Sequence, residues 1–291
     1  MARSVRVEAA AKVNLHLRVY GRREDGYHGI LSLFQAVSLS DSLVIRSLKE
    51  SDTIKIEGDF DCPVESTTVY RAAEAYRART GDRTGLNISV TKRIPAGAGL
   101  GGGSSDAAAT LAGLEAVLGA GVDSRAMAEL GAAIGSDVPF FLGPGAAVVS
   151  GRGEIVEPIE ARVDLSLVLA FPGFPVSTCE AYALLDDRRP DDSGEGDPGP
   201  VDIEVAYRGR PGEWPFANSF EPVIGAEHPR ILDAKAAFLD AGAAFASMSG
   251  SGSSAFGVFE GGGEGRALGK LRDAGFRAWA ASPLARCLTL Y

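Results

Sequence analysis

Residues 95–109 read PAGAGLGGGSSDAAA, a glycine- and alanine-rich run that leads into two serines, an aspartate and more alanine. Glycine loses more conformational entropy on folding than any other residue, so a dense glycine run needs a structural or functional reason. The run follows a strand predicted over Leu86 to Thr91 and precedes a helix predicted from about Ser105 to Leu118. A helix N-terminus offers unpaired N–H donors and a partial positive charge, so this stretch predicts an anion site that suits a phosphate.

The glycine run must be distinguished from two other phosphate motifs. A Walker A loop needs Gly-Lys-Ser/Thr, and no such tripeptide follows these glycines. Gly97, Gly99 and Gly102 do fit the Rossmann pattern G-x-G-x-x-G, with Asp123 where a ribose-binding acid would be expected. Asp123, however, lies between two predicted helices, and we interpret it as a helix N-cap. A tight turn without any ligand is a further alternative, although three consecutive glycines exceed what a turn needs.

The composition limits the other classes of function. The chain has 291 residues, of which 45% are hydrophobic and 23% charged, as in an ordinary globular protein. Its net charge of −9 argues against a broad nucleic-acid-binding face. We find no apolar run long enough to span a membrane, no signal peptide, no disulfide framework and no metal-ligand spacing. The sequence therefore predicts a cytoplasmic protein, monomeric or weakly dimeric, with small-molecule partners.

The order of the predicted elements favours an α+β fold. Strand-like alternation in the first ninety residues comes in runs before the helices, which does not suit a doubly wound sheet. Thr67 or Thr68 is predicted to cap the first long helix, and residues 146–159 are predicted to form a hairpin. We predict two domains, over residues 1–160 and 161–291. The acidic, Pro/Gly-rich segment from Asp186 to Pro200 is predicted to be a mobile loop without a chemical role.

Three stretches, in the same order along the chain, resemble the GHMP kinases. They are AKVNLHLRVYGRREDGYHGI near the N-terminus, the glycine run, and SMSGSGSSAFGVF near the C-terminus, so the resemblance covers nearly the whole chain. The resemblance implies a two-domain α+β kinase fold with the active site in the cleft between the domains, and ATP as co-substrate. It also implies that the glycine run holds the phosphates, through Pro95, Gly97, Gly99, Leu100, Gly101, Gly102, Gly103, Ser104 and Ser105.

Phosphoryl transfer to an alcohol needs a group that accepts the hydroxyl proton. Asp137, in IGSDVP, follows a predicted helix end and precedes Val138-Pro139, which predicts an extended exit. Taken alone, Asp137 suits a turn or cap, and Lys12 suits the wet face of a strand. The resemblance implies instead that Asp137 is the catalytic base and that Lys12 orients it. Asn14 is two residues from Lys12 on the same strand face and is predicted to bind the acceptor.

Two further stretches, GRREDGYH and IGSDVPFFL, resemble those members that phosphorylate a cytidine-diphosphate-linked branched polyol. The resemblance implies that His28 recognises the cytosine and that Tyr27 and Tyr182 stack on it. Phe174 is an alternative stacking residue, since it also lies in a Gly/Pro-rich loop. Two alternative functions remain. One is another small-alcohol kinase of the homoserine or mevalonate type, and the other is a non-catalytic nucleotide-binding protein on the same fold.

The sequence departs from the family pattern at two positions. Thr67 stands where an asparagine often helps to hold the adenine, and Asp106 stands where many members have asparagine. The contacts to adenine are therefore not predicted. Mg²⁺ is expected with ATP, but its protein ligands cannot be assigned from the sequence.

Overall fold

The computed structural model describes residues 3–48, 51–188 and 200–291. The larger of two sheets is formed almost wholly by the first 158 residues. The strands are β1 (Ser4–Arg22), β2 (His28–Leu48), β3 (Ile54–Glu57), β4 (Gly85–Thr91), β5 (Ala146–Ser150), β6 (Ile155–Pro158) and β11 (Leu288–Leu290). They run in the spatial order β11-β1-β2-β4-β3, with β5 paired to β2 and β6 to β5. All of these pairs are antiparallel except β3 with β4.

Four helices pack with this sheet, namely α1 (Thr68–Thr80), α2 (Gly102–Leu118), α3 (Ser124–Ile134) and α4 (Val138–Phe141). The central helix, α2, is buried on most sides because its residues are small or aliphatic, as in the run Ala107, Ala108, Ala109 and Leu111. A Cβ on Gly113 would lie only 2.4 Å from the Ile45 side chain. Small residues therefore let α2 approach the sheet closely, which fixes the position of its N-terminus.

The second sheet is antiparallel and belongs to the C-terminal part of the chain. Its order is β10-β7-β9-β8, with β7 (Ser166–Phe171), β8 (Phe245–Met248), β9 (Ala255–Phe259) and β10 (Arg277–Ala281). The helices of this part are α5 (Thr178–Arg188), α6 (Pro200–Arg208), α7 (Glu221–Glu227), α8 (Pro229–Asp240) and α9 (Glu264–Asp273). None of the helices within the described ranges is long and apolar enough to cross a membrane.

Backbone hydrogen bonds join the two parts of the chain. Leu17 of β1 donates to the Ala217 carbonyl at 2.9 Å and accepts from the Ser219 amide at 2.8 Å. The predicted boundary at residue 160 falls between β6 and β7, but β11 returns from the C-terminal part and pairs with β1 along Val7 to Ala9. The α+β fold is as predicted, with strand β1 common to both parts.

Several sequence-based predictions are confirmed at the element ends. Thr67 caps α1 by accepting from the Tyr70 amide at 3.1 Å, and Asp123 caps α3 by accepting from the Ala126 amide at 2.8 Å. The segment at 146–158 forms the expected hairpin of β5 and β6.

Other predictions are wrong. Helix α2 begins at Gly102 rather than Ser105. The chain after Asp137 is helical rather than extended, because Pro139 lies in the first turn of α4, where its missing N–H is not needed. Asp186, predicted to open a loop, lies on α5, and Pro200 begins α6; residues 189–199 of that predicted loop are outside the described residues.

Candidate active site

A cavity of about 1100 Å³ lies between the two parts of the chain. Its wall contains residues of β1, the loop before β2, the glycine run, α5 and the turn between β8 and β9. Most of the residues predicted as site residues line it, namely Lys12, Asn14, Tyr27, His28, Pro95, Gly97, Gly99, Leu100, Gly101, Gly102, Gly103, Ser104, Asp137 and Tyr182. Ser105 and Phe174 are not among the described residues of the wall.

The glycine run is held in a fixed path by both parts of the chain. Gly97, Gly99 and Gly101 have φ values of 61°, 74° and 72°, which side chains other than glycine rarely adopt. The carbonyl of Gly99 accepts from Ser249 Oγ at 2.9 Å, and a Cβ on Gly99 would lie 2.1 Å from the Ser249 carbonyl oxygen. Gly97 accepts from the Val176 amide at 3.1 Å. Glycine is therefore required here by the approach of another backbone as well as by φ.

The N-terminus of α2 opens at the end of this run. Gly101 is the N-cap in a left-handed conformation, and no side chain of the described residues caps the helix. Gly102, Gly103 and Ser104 line the cavity, and their amides lie in the first turn, where they have no intrahelical acceptors, which suits an anion. Ser105 is fully buried, and its hydroxyl has no hydrogen-bond partner among the described residues. The structure does not bring Ser105 to the cavity surface.

A lysine and an aspartate meet on the wall beside the glycine run. Lys12 is only 4% exposed, and its Nζ lies 3.8 Å from Asp137 Oδ2 and 4.7 Å from the centre of the Phe34 ring. Burial lowers the pKa of Lys12, and the charge of Asp137 opposes this shift. The Asp137 side chain is 32% exposed, and it stands at the start of α4. This geometry gives one carboxylate that opens onto the cavity and is oriented by a buried cation.

Asn14 belongs to the same group of side chains. Its Oδ1 accepts from Lys12 Nζ at 2.5 Å, and its Nδ2 donates to Ser32 Oγ at 3.0 Å. Its backbone amide donates to Ser249 Oγ at 3.3 Å. Because a carboxamide nitrogen has two hydrogens, the contacts within the described residues leave one Nδ2 hydrogen for a ligand.

Aromatic side chains gather at the other end of the cavity. The His28 and Tyr182 rings stack with centroids 5.0 Å apart and an interplanar angle of 26°. Burial, with a smaller effect of Asp137, raises the pKa of Tyr182 to about 12. Tyr27 is 59% exposed at the cavity edge, with the Arg152 guanidinium 4.9 Å from its ring centre. One face of Tyr182 is thus covered by His28, an arrangement that the sequence did not predict.

Both ring nitrogens of His28 have partners inside the protein. Nδ1 lies 2.8 Å from the Tyr20 carbonyl oxygen, and Nε2 lies 3.1 Å from Asp186 Oδ1. The sequence predicted that this ring pairs with a pyrimidine edge, but here a base would reach Nε2 only by displacing Asp186. Phe174, the alternative stacking residue, lies against the His228 ring with centroids 4.9 Å apart.

A buried charge cluster, missed by sequence reasoning, stands beside the glycine run. Lys92 Nζ donates to Asp106 Oδ2 at 2.6 Å and also to Asp41, whose other oxygen accepts from the Ile94 amide at 2.9 Å. Burial raises the pKa of Asp106 to about 7, with Lys92 opposing the shift and Asp41 adding to it. Burial also acts to lower the pKa of Lys92, but the two carboxylates outweigh it and raise that pKa. The cluster ties β2 to the first turns of α2.

Asn218 is a second residue that sequence reasoning missed. It is buried, and its Nδ2 donates to the carbonyls of Met248 and Gly250, each at 2.8 Å. Its Oδ1 accepts from the Phe220 amide at 2.9 Å. Asn218 therefore holds the turn whose Ser249 contacts the glycine run. In the sequence, Asn218 simply lies between two helical segments, and this position does not distinguish it from any other loop asparagine.

The described residues contain no group of three or more His, Cys, Asp or Glu that could hold a metal ion. Mg²⁺ bound with a nucleotide takes most of its ligands from phosphate and water and needs one or two carboxylates, and the Asp137 carboxylate lies in the cavity wall. Thr67, which replaces the family asparagine, lines the cavity while its hydroxyl donates to the Val64 carbonyl at 2.6 Å.

Family models match both parts of the chain. The model of the GHMP kinases N terminal domain matches residues 67–145, and that of the GHMP kinases C terminal region matches residues 208–276. A crystal structure of a homoserine kinase from Cytophaga hutchinsonii has the same fold, with a TM-score of 0.73 at 21% identity over 99% of this chain and 97% of that one. The fold and the phosphate loop thus define the class as a GHMP kinase.

Relatives with higher sequence identity show which family of GHMP kinases the chain belongs to. The 4-diphosphocytidyl-2-C-methyl-D-erythritol kinase of Symbiobacterium thermophilum is 40% identical over 96% of this chain and 99% of its own length, and that of Thermodesulfovibrio yellowstonii is 38% identical over 87% and 88%. A crystal structure of 4-(cytidine 5'-diphospho)-2C-methyl-D-erythritol kinase has a TM-score of 0.80 at 38% identity and covers 98% of this chain and 99% of that one. The chain therefore belongs to the 4-diphosphocytidyl-2-C-methyl-D-erythritol kinase family.

Proposed function

We propose that this protein transfers the γ-phosphoryl group of ATP to the 2-hydroxyl of 4-diphosphocytidyl-2-C-methyl-D-erythritol, giving the 2-phosphate and ADP. The observation that carries the proposal is the pairing of Lys12 and Asp137, 3.8 Å apart, beside a glycine run that ends at an uncapped helix N-terminus. Family membership names the substrate, which lies on the non-mevalonate route to isoprenoid precursors.

In the proposed reaction, the first-turn amides of α2 bind the phosphates of ATP, and the glycine run lets them approach the backbone. The acceptor hydroxyl attacks the γ-phosphorus in line, a new O–P bond forms, and the bond to the leaving ADP oxygen breaks. The hydroxyl proton passes to Asp137. The buried Lys12, with its Nζ 3.8 Å from Asp137 Oδ2, fixes the direction of that carboxylate.

Mg²⁺ is part of the proposal as the ion that accompanies ATP and neutralises charge on the phosphates. Among the residues of the cavity wall, Asp137 and the Ser104 hydroxyl fit as its protein ligands, with phosphate and water supplying the rest. The cytoplasmic location and the monomeric or weakly dimeric state stay predictions, which cell fractionation and size-exclusion chromatography would test.

ADP release, measured with a coupled assay at saturating ATP, tests the function. Diphosphocytidyl-methylerythritol, homoserine and mevalonate serve as separate acceptors, and we expect turnover with the first alone. Turnover with homoserine or mevalonate in its place would favour another GHMP kinase activity. No ADP release with any acceptor would favour a non-catalytic nucleotide-binding protein.

A further inference from the structure

We propose that Asp186 is a specificity-determining residue, whose carboxylate accepts a hydrogen bond from the exocyclic amino group of the cytosine. This inference rests on the proposed function, because it takes the acceptor to be cytidine-linked. The sequence assigned Asp186 to an acidic loop without a role. The structure places it on α5, in the wall of the cavity, 3.1 Å from a histidine at the aromatic end.

The position of Asp186 follows from helix geometry. Tyr182 and Asp186 are four residues apart on α5, so their side chains lie on the same face of the helix. Both belong to the cavity wall. An aromatic ring and a hydrogen-bond acceptor thereby line the cavity together, and such a pair suits a flat heterocycle whose edge is read by hydrogen bonding.

The hydrogen bonds of His28 fix the direction of this carboxylate. His28 Nδ1 lies 2.8 Å from the Tyr20 carbonyl oxygen, and Nε2 lies 3.1 Å from Asp186 Oδ1. His28 therefore serves as an anchor for Asp186. Among the described residues, the second carboxylate oxygen of Asp186 has no such contact and is left for a ligand. The Asp186 side chain is 43% exposed, so a ligand can reach that oxygen.

The charge of Asp186 selects the kind of ligand group. A carboxylate repels the phosphates of the acceptor and accepts hydrogen bonds, so the group that it contacts in the ligand is a hydrogen-bond donor. Cytosine presents an amino donor at its 4-position, where uracil presents a carbonyl acceptor. The same carboxylate thus attracts a cytosine edge and repels a uracil edge, and specificity arises from both effects.

The test compares the cytidine-linked substrate with an analogue that differs only in carrying uracil. We measure kcat/KM for both at saturating ATP. In wild type we expect kcat/KM to be about tenfold to hundredfold higher for the cytidine compound than for the uridine compound, because a hydrogen bond to a charged group contributes free energy of that size. Asp186→Ala should lower kcat/KM for the cytidine compound to near that of the uridine compound. Asp186→Asn, whose amide both donates and accepts, should reduce the preference to within about threefold.

Asp187→Asn is the matched control, since it removes the same charge from the next, exposed residue of the helix, which is not among the described residues of the cavity wall. It should keep the full preference. An equal loss of kcat/KM for both compounds in Asp186→Ala, with their ratio unchanged, would overturn the inference. Absence of a cytidine preference in wild type would also overturn it. If wild type turns over neither compound, the proposed function itself fails, so the two failures are distinguishable.

Discussion

The carboxylate of Asp137 is the residue on which the proposed chemistry depends most. Asp137→Asn keeps the shape of the side chain but removes its ability to accept a proton, and general base catalysis contributes about 10²–10⁴-fold. We expect kcat to fall within that range while ATP binding stays within a few-fold, measured by ADP release and by isothermal titration. Glu129→Gln on α3, an exposed carboxylate in the same part of the chain, is the control. A mutant that keeps more than half of the wild-type rate would contradict the assigned role.

Asp106 makes stability depend on pH in the opposite direction to an ordinary surface carboxylate. Its pKa is about 7 in the folded chain against a reference of 3.8, so folding favours the protonated form. The stability it contributes is complete below pH 3.8 and is lost as the pH rises through about 7. Asp106→Asn has no charge to bury. We therefore expect the free energy of unfolding of the wild type to fall by roughly 1–3 kcal/mol, relative to that of the mutant, as the pH rises from 5 to 8.

Urea unfolding at the two pH values, followed by circular dichroism, measures this difference. Titrating groups that do not interact with Asp106 are common to both proteins and cancel in the comparison. Parallel stability curves for wild type and Asp106→Asn would show that Asp106 is ionised in both the folded and unfolded chain over this range.

At the scale of elements, two adjacent glycines at the start of α2 have different surroundings, so substitutions at each of them test packing and ligand binding separately. A Cβ on Gly102 would lie 2.8 Å from the Ile94 side chain, while a Cβ on Gly103 would meet nothing closer than Thr68 at 3.6 Å. We expect Gly102→Ala to lower the melting temperature. Gly103→Ala should keep or raise it, because alanine favours a helix over glycine by about 0.5–1 kcal/mol.

Gly103→Ala should nevertheless raise the KM for ATP, since its methyl group adds bulk beside the amides that bind phosphate. Thermal unfolding and steady-state kinetics on the two mutants check both parts. An unchanged KM in a folded Gly103→Ala protein would exclude close approach of the phosphates at this residue. Gly102 also lines the cavity, but a side chain added there would meet Ile94.

The turn between β8 and β9 depends on Asn218. Asn218→Ala leaves the carbonyls of Met248 and Gly250 and the amide of Phe220 without this partner, and unsatisfied buried groups cost about 1–3 kcal/mol each. Because Ser249 in this turn contacts both Gly99 and Asn14, we expect kcat/KM to fall for ATP and for the acceptor together. Asn87→Ala on β4, whose Oδ1 has no partner among the described residues, is the control. A loss confined to stability, with kinetics unchanged, would contradict the positioning role.

Local patterns made most of the elements predictable. Period-two alternation located β1 and β2, and cap residues located the starts of α1 and α3. The start of α2 was placed too late because its first turn is Gly-Gly-Ser, a sequence with low helix propensity that is held by packing. Strand β11 was not predicted, since three residues carry too little pattern and form a strand only by pairing with β1.

The site was predictable only where a motif stands in one stretch of sequence. The glycine run suggested its own function, but Lys12 and Asp137 needed the family resemblance, because nothing local shows that they meet. The contact of His28 with Asp186 joins residues far apart in the sequence, and the Lys92 cluster likewise joins β2 to α2. Such long-range pairs depend on how the elements pack, which periodicity does not encode.

At the scale of the whole molecule, the C-terminal residues should stabilise the first sheet. The Tyr291 and Arg6 backbones exchange two hydrogen bonds, and β11 pairs with β1, which carries Lys12 and Asn14. A chain ending at Cys287 should therefore unfold at a lower urea concentration in one transition and lose activity with it. Tyr291→Ala removes a side chain that is 74% exposed but keeps the backbone pair, so it should behave like wild type. Equal midpoints for the truncated and full chains would contradict this prediction.

The return of β11 to β1 also bears on the order in which the protein is synthesised. Strand β1 is synthesised long before β11, the strand that completes its outer edge. Until residues 288–290 have been synthesised and have paired, the backbone groups of residues 7–9 have no native partner on that side, and open strand edges pair readily with other chains. Premature termination before residue 288 would therefore yield a nascent product that aggregates rather than a smaller working enzyme.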